Sequence, residues 1–162
     1  MKGLLIVSNA TPIIAFSRIN RLDLFHEITG DIMIPQEVFK ELYEHERADV
    51  PVLKRSRWIK VKKVRAQADV ELLLPSLDKG EAEVIILSKE LGAGLVVIDE
   101  LTARKIAIMM GLPVIGSVGL LLYAKKTGLI KEVKPHLDEM VRQGIRYKHS
   151  FYRAVLQSID EI

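Results

Sequence analysis

Cysteine is absent from the 162 residues. That absence excludes disulfides, thiolate nucleophiles and cysteine-ligated zinc. Histidine is sparse: His26, His45, His136 and His149 are scattered, with no pair at metal-ligand spacing. A bound metal would therefore have oxygen ligands, which points to Mg²⁺ or Mn²⁺ rather than zinc. No apolar run approaches the roughly 20 residues of a membrane helix. The opening MKGLLIVSNATP lacks the length and cleavage pattern of a signal peptide. A cytoplasmic setting with no membrane partner is expected. Also missing are a G-x-G-x-x-G after a strand, a Walker A loop and a G-x-S-x-G elbow, which leaves nucleotide-cofactor and serine-hydrolase chemistry without support. No strong charge of one sign is present either. The net charge of +3 permits a polyanion partner without requiring one.

What is present is ordinary for a globular domain: 49% hydrophobic and 28% charged residues, enough for one domain over 1–162 with a real core. Few Asn and Gln beside many Lys, Arg and Glu resemble a thermophile's usage. There is no internal repeat and no low-complexity tract. Strand and helix patterns alternate throughout, which predicts one α/β domain with a mostly parallel central sheet.

The most informative stretch is LDKGEAEVIILSKELGAGLVVIDEL, residues 77–101. Glu81, Val84, Ile85 and Ser88 share one helical face, so Glu81 is an inward acid. Glu83 and Glu90 fall on the other side, where Glu83 is expected to be solvated. Gly92 and Gly94 stop the helix. Leu95 to Ile98 is wholly apolar, as a parallel strand covered on both faces would be. Asp99 and Glu100 follow at its carboxyl end, where ligands of open α/β sheets bind. An inward Glu and a strand-end acid suit a hard cation. They equally suit a helix-dipole partner and a turn.

Around this stretch, Leu4 to Val7 reads as a first strand tipped by Ser8 and Asn9, with Thr11-Pro12 starting a helix. Asp31 to Ile34 is a short strand. The following helix, IPQEVFKELYEHE, buries Val38 and Leu42 and sets Glu41 at the border of that stripe. KRSRWIKVKKVR, residues 54–65, predicts a Lys-guarded edge strand. The same segment offers an RNA contact, with Lys54, Arg55, Arg57 and Lys60 on phosphates and Trp58 stacking on a base. Residues 66–76 form a linker or weak helix. Thr102 is expected to cap a helix through Met110 that carries Arg104 toward a phosphate backbone. A strand at 112–115 and three further helices complete the chain. Val118 to Tyr123 serves core or interface.

In this order and spacing the motifs VSNATPIIAFSRINRLDLF, IPQEVFKEL, LDKGEAEVIILSKELGAGLVVIDELTARKIA and GLPVIGSVGLLLYAKKTGLI resemble the PIN-domain nucleases. They are most similar to an archaeal and bacterial PIN-like branch related to VapC-type toxins. The resemblance implies a three-layer α/β/α fold with a mostly parallel, Rossmann-like sheet. It also implies hydrolysis of single-stranded RNA, with Mg²⁺ or Mn²⁺ held by acids at the sheet's carboxyl edge. By motif, Glu41, Glu81 and Asp99 become the catalytic metal ligands, with Glu100 beside them. The family's first acid, an Asp, is replaced by Asn9. An Asn carbonyl can ligate but brings no charge and cannot act as a general base. The resemblance therefore leaves two functions open: a metal-dependent ribonuclease, and an inactive PIN-like module that binds RNA or protein. A phosphatase acting on small phosphates is a weaker third. An antitoxin-like small protein partner and a homodimer are further implications of the family.

Overall fold

A computed structural model of the chain describes Met1, residues 3–44 and residues 50–162. His45 falls outside the described residues. Five short strands form the sheet: β1 (Ile6–Ser8), β2 (Ile32–Ile34), β3 (Ile59–Val61), β4 (Leu95–Val97) and β5 (Val114–Ile115). Their order is β3-β2-β1-β4-β5, and every pairing is parallel. The expected mostly parallel sheet is thus wholly parallel. Helices alternate with the strands: α1 (Ala10–Arg18), α2 (Leu22–Thr29), α3 (Gln36–Tyr43), α4 (Val50–Arg55), α5 (Gln67–Leu73), α6 (Lys79–Leu91), α7 (Leu101–Met109), α8 (Ser117–Lys126), α9 (Lys134–Arg142) and α10 (His149–Ser158). All three residues of β1 are buried, as a strand with helices on both faces requires.

The strand order places the site. The chain winds from β1 outward to β2 and β3, then crosses to β4 on the other side of β1. Ser8 pairs with Val97 across that junction. Where the winding reverses, the connections leave in opposite directions and open a crevice beyond the carboxyl ends of β1 and β4. Asn9 and Asp99 belong to those two ends.

Helix α6 flanks the crevice and is buried over Gly80 to Ser88. It starts with a capping box: Asp78 Oδ1 accepts the Glu81 N–H at 2.8 Å, and Glu81 Oε1 accepts the Asp78 N–H at 3.0 Å. It ends on Gly92, whose φ of 62° is a left-handed cap that glycine adopts without strain. The expectation of a solvated Glu83 is overturned. Glu83 is 4% exposed, and its carboxylate accepts the Glu37 N–H at 3.1 Å in the first turn of α3. A helix buried on every side has no solvent face to give it, so the charge is satisfied by a neighbouring helix's free N–H.

Three other expectations shift. The basic segment 54–65 is not one strand: Lys54 and Arg55 end α4, and only Ile59–Val61 pairs with β2. Helix α7 is capped by Glu100 rather than Thr102, the Ala103 N–H donating to Glu100 Oε2 at 2.7 Å. Val118, Leu120 and Leu121 are buried, which gives that stretch to the core. Among the described residues no helix is long and apolar enough to cross a membrane.

Candidate active site

Asn9 follows β1 directly, and its backbone N–H donates to Val97 O at 2.9 Å, locking the tips of β1 and β4 together. The residue is 5% exposed. Its side chain neither caps α1 nor makes another hydrogen bond among the described residues. A buried amide without partners is costly, so its oxygen is available to a ligand.

Asp99 lies just beyond β4 and is fixed by the first residue of α8. The Ser117 N–H donates to Asp99 Oδ1 at 2.7 Å, and the Ser117 hydroxyl donates to Oδ2. The helix N-terminus favours the negative charge there. Gly116 keeps the space open. A Cβ on it would stand 2.8 Å from Asp99 Oδ1 and 2.9 Å from Arg104 Nη1. The Arg104 guanidinium donates to Ile98 O at 2.8 Å and forms no salt bridge among the described residues. A carboxylate and a cation thus border the same point without neutralising each other.

Glu41 and Glu81 meet at the start of α6. Glu41 Oε1 rests against Gly80, only 2.2 Å from where a Cβ would be. Burial pushes the Glu41 carboxyl up to about 7, with further upward pressure from Asp78, Glu37 and Glu81. Burial also raises Glu81, opposed by the hydrogen bond from the Asp78 N–H and reinforced by the charges of Asp78 and Glu100. Burial is the larger cause at both, and the neighbouring carboxylates add to it.

Two groupings result: Glu41 with Asp78 and Glu81 at the start of α6, and Asp99 with Ser117 and Arg104 beyond β4. Among the described residues no three acids or histidines stand close enough to enclose an ion by themselves. Glu81 is turned into its capping box, and Glu100 is occupied in capping α7. A hydrated Mg²⁺ keeps several waters and needs only one or two carboxylates. The all-oxygen set of Asn9, Glu41, Glu81 and Asp99 fits such an ion and does not suit zinc.

The expected RNA-contacting stretch lies elsewhere. Arg57 and Trp58 precede the amino end of β3, so in a parallel sheet they sit at the edge opposite the carboxylates. Trp58 stacks on His26 at 4.5 Å and on Phe25 at 5.9 Å. Lys60 pairs with Asp31 at 2.9 Å. Lys54 and Arg55 are exposed at the end of α4, next to that same turn. Of the expected cations only Arg104 is beside Asp99. The sequence motifs do not single out Asp78, Gly80, Gly116, Ser117 or Tyr147 as site residues. The D-x-x-E spacing of Asp78 and Glu81 is a legible cap signal. Tyr147, whose hydroxyl pKa is raised by burial and by the nearby Asp99 charge, carries no local signal at all.

A family model described as a PIN domain matches residues 5–161. Comparison with curated proteins and with solved structures returns no match. The match spans nearly the whole chain and agrees with the parallel sheet. The chain belongs to the PIN-domain family, a fold of nuclease type.

Proposed function

We propose that the chain is a metal-dependent endoribonuclease that hydrolyses phosphodiester bonds of single-stranded RNA. Asn9, Glu41, Glu81 and Asp99 would hold Mg²⁺ or Mn²⁺. The observation that carries this reading is the buried Asn9 amide, without a side-chain hydrogen bond among the described residues and locked beside the β4 tip that precedes Asp99. A bound cation supplies a hydroxide at neutral pH and offsets charge on the phosphorane-like transition state. Ser117 keeps Asp99 in one orientation by two donated hydrogen bonds. Glu41 would orient the attacking water, whose oxygen bonds phosphorus as the P–O ester bond breaks, the water's proton passing to solvent and the leaving oxygen taking one up. Arg104 offers positive charge to a non-bridging phosphate oxygen.

Asn9 itself favours a second reading, a binding module whose hydrolytic site is disarmed by one missing carboxylate. Cleavage of a mixed-sequence single-stranded RNA in Mn²⁺ and in EDTA separates the two, with wild type beside Asn9→Asp and Asp99→Ala. Mn²⁺-dependent cutting by wild type that is lost in Asp99→Ala supports the nuclease. Cutting only by Asn9→Asp supports the binding module, and no cutting by any folded variant removes the nuclease reading. An antitoxin-like partner or a second copy would be sought on α7, where Leu101, Ile108 and Met109 are exposed.

A further inference from the structure

The turn after α9 and the first residues of α10 read Arg146-Tyr147-Lys148-His149-Ser150-Phe151-Tyr152-Arg153, cations interleaved with aromatics. Arg146, Lys148 and Arg153 are exposed, and none has an ion-pair partner among the described residues. Lysines on neighbouring elements are paired, Lys125 with Glu161 and Lys134 with Asp138. Phe151 is 45% exposed, and its ring centroid lies 6.0 Å from that of Tyr147. Tyr147 packs half-buried against the core and donates its hydroxyl to Met140 Sδ at 3.6 Å. Helix α9 starts beside the end of α1, where Arg21 Nη1 meets His136 Nε2 at 3.0 Å, and packs along α1, so the turn after α9 lies toward Asn9 and the carboxyl end of the sheet.

We propose that a single RNA strand runs from the carboxylates onto this turn: Arg104 meets the phosphate beside Asp99, Phe151 stacks on a base, and Arg146, Lys148 and Arg153 take the phosphates beyond. Tyr147 is a positioning residue that holds the turn against the site. The strand's chemical identity rests on the nuclease reading above; the location of the surface does not. An exposed aromatic face among unpaired cations suits an unstacked base and a polyanion together, which a duplex cannot offer. Trp58 is a poorer platform because His26 already stacks on it.

The test is binding of a fluorescein-labelled, mixed-sequence single-stranded RNA in EDTA, read by anisotropy across a salt series, so that no hydrolysis is needed. Phe151→Ala should weaken binding about fivefold or more. Each of Arg146→Ala, Lys148→Ala and Arg153→Ala that loses a phosphate contact should lower the log–log salt slope by about 0.7. Lys60→Ala, at the far edge, should leave both unchanged. These residues are exposed, so unaltered melting curves will confirm folded variants. Wild-type affinity retained by Phe151→Ala with an unchanged salt slope in the cation variants overturns the proposal, as does a loss confined to Lys60→Ala or no RNA binding by wild type. A protein that binds through this turn yet never cuts would retain the surface and lose the nuclease reading. A protein that cuts, but binds RNA equally well in all variants, would do the reverse.

Discussion

A methyl group on Gly80 would collide with Glu41 Oε1, which now lies 2.2 Å from that point. The carboxylate is the movable partner, so Gly80→Ala should swing Glu41 away while adding up to about 1 kcal/mol of helix propensity. The expected outcome is an unchanged or higher Tm with cleavage reduced about 100-fold, the scale of a small misplacement at a reacting centre. Full cleavage by this variant would remove Glu41 from the machinery. Glu41 also makes a pH prediction. Its carboxyl rises from 4.5 to about 7, so the folded chain keeps a proton that the unfolded chain releases. That stabilisation is fully present below 4.5 and lost as pH rises through about 7. In EDTA, urea midpoints should fall across this window, and Glu41→Gln should flatten the fall. Mn²⁺ affinity should rise over the same window, because the cation must displace that proton. Glu41 and Glu81, which meet at the start of α6, were both singled out by motif order. Glu83 was misplaced because helical periodicity assumes a solvent face, which α6 lacks. Tyr147 was invisible because only folding brings it within reach of Asp99.

Helix ends decide which acids are free to act. Glu100 accepts the Ala103 N–H and Glu81 accepts the Asp78 N–H, so both are caps. The two are separable by substitution. Glu100→Ala should cost about 1 kcal/mol of stability and leave Mn²⁺ binding intact. Glu81→Gln retains a side-chain oxygen for the cap, so it should melt close to wild type while weakening Mn²⁺. Chemical melts alongside Mn²⁺ titrations check both. Equal Mn²⁺ loss in both variants would make Glu100 a ligand as well. The Gly92 stop and the helix starts near Pro12 and Pro35 were readable from glycine, proline and periodicity. Glu100 was passed over as a cap because its position beside Asp99 drew it into the ligand set. The short α4 gave no periodic signal, being only Val50–Arg55.

At the scale of the molecule, a cation on acids from β4, α3 and α6 should act as a clasp across separate elements. At a Mn²⁺ concentration of about 100 Kd the fold gains about 2.7 kcal/mol, or roughly 5–10 °C in Tm for a chain of this size. EDTA should reverse the shift and Asp99→Ala should abolish it. A Tm indifferent to Mn²⁺ would mean that the acids repel one another in the working protein too. The α/β class and parallel sheet were readable from alternation alone. The strand order was not, because nothing in a three-residue apolar run names its neighbour. That order has a consequence for synthesis. The central strand β1 is made before its partner β4, which is translated only after β2, β3 and, among the described residues, six intervening helices. A ribosome that has finished β3 holds a half-sheet with no cleft. Asn9 meets Val97, and Ser117 seizes Asp99, only when most of the chain has emerged. The carboxylate site therefore cannot assemble until the start of α8 has been made.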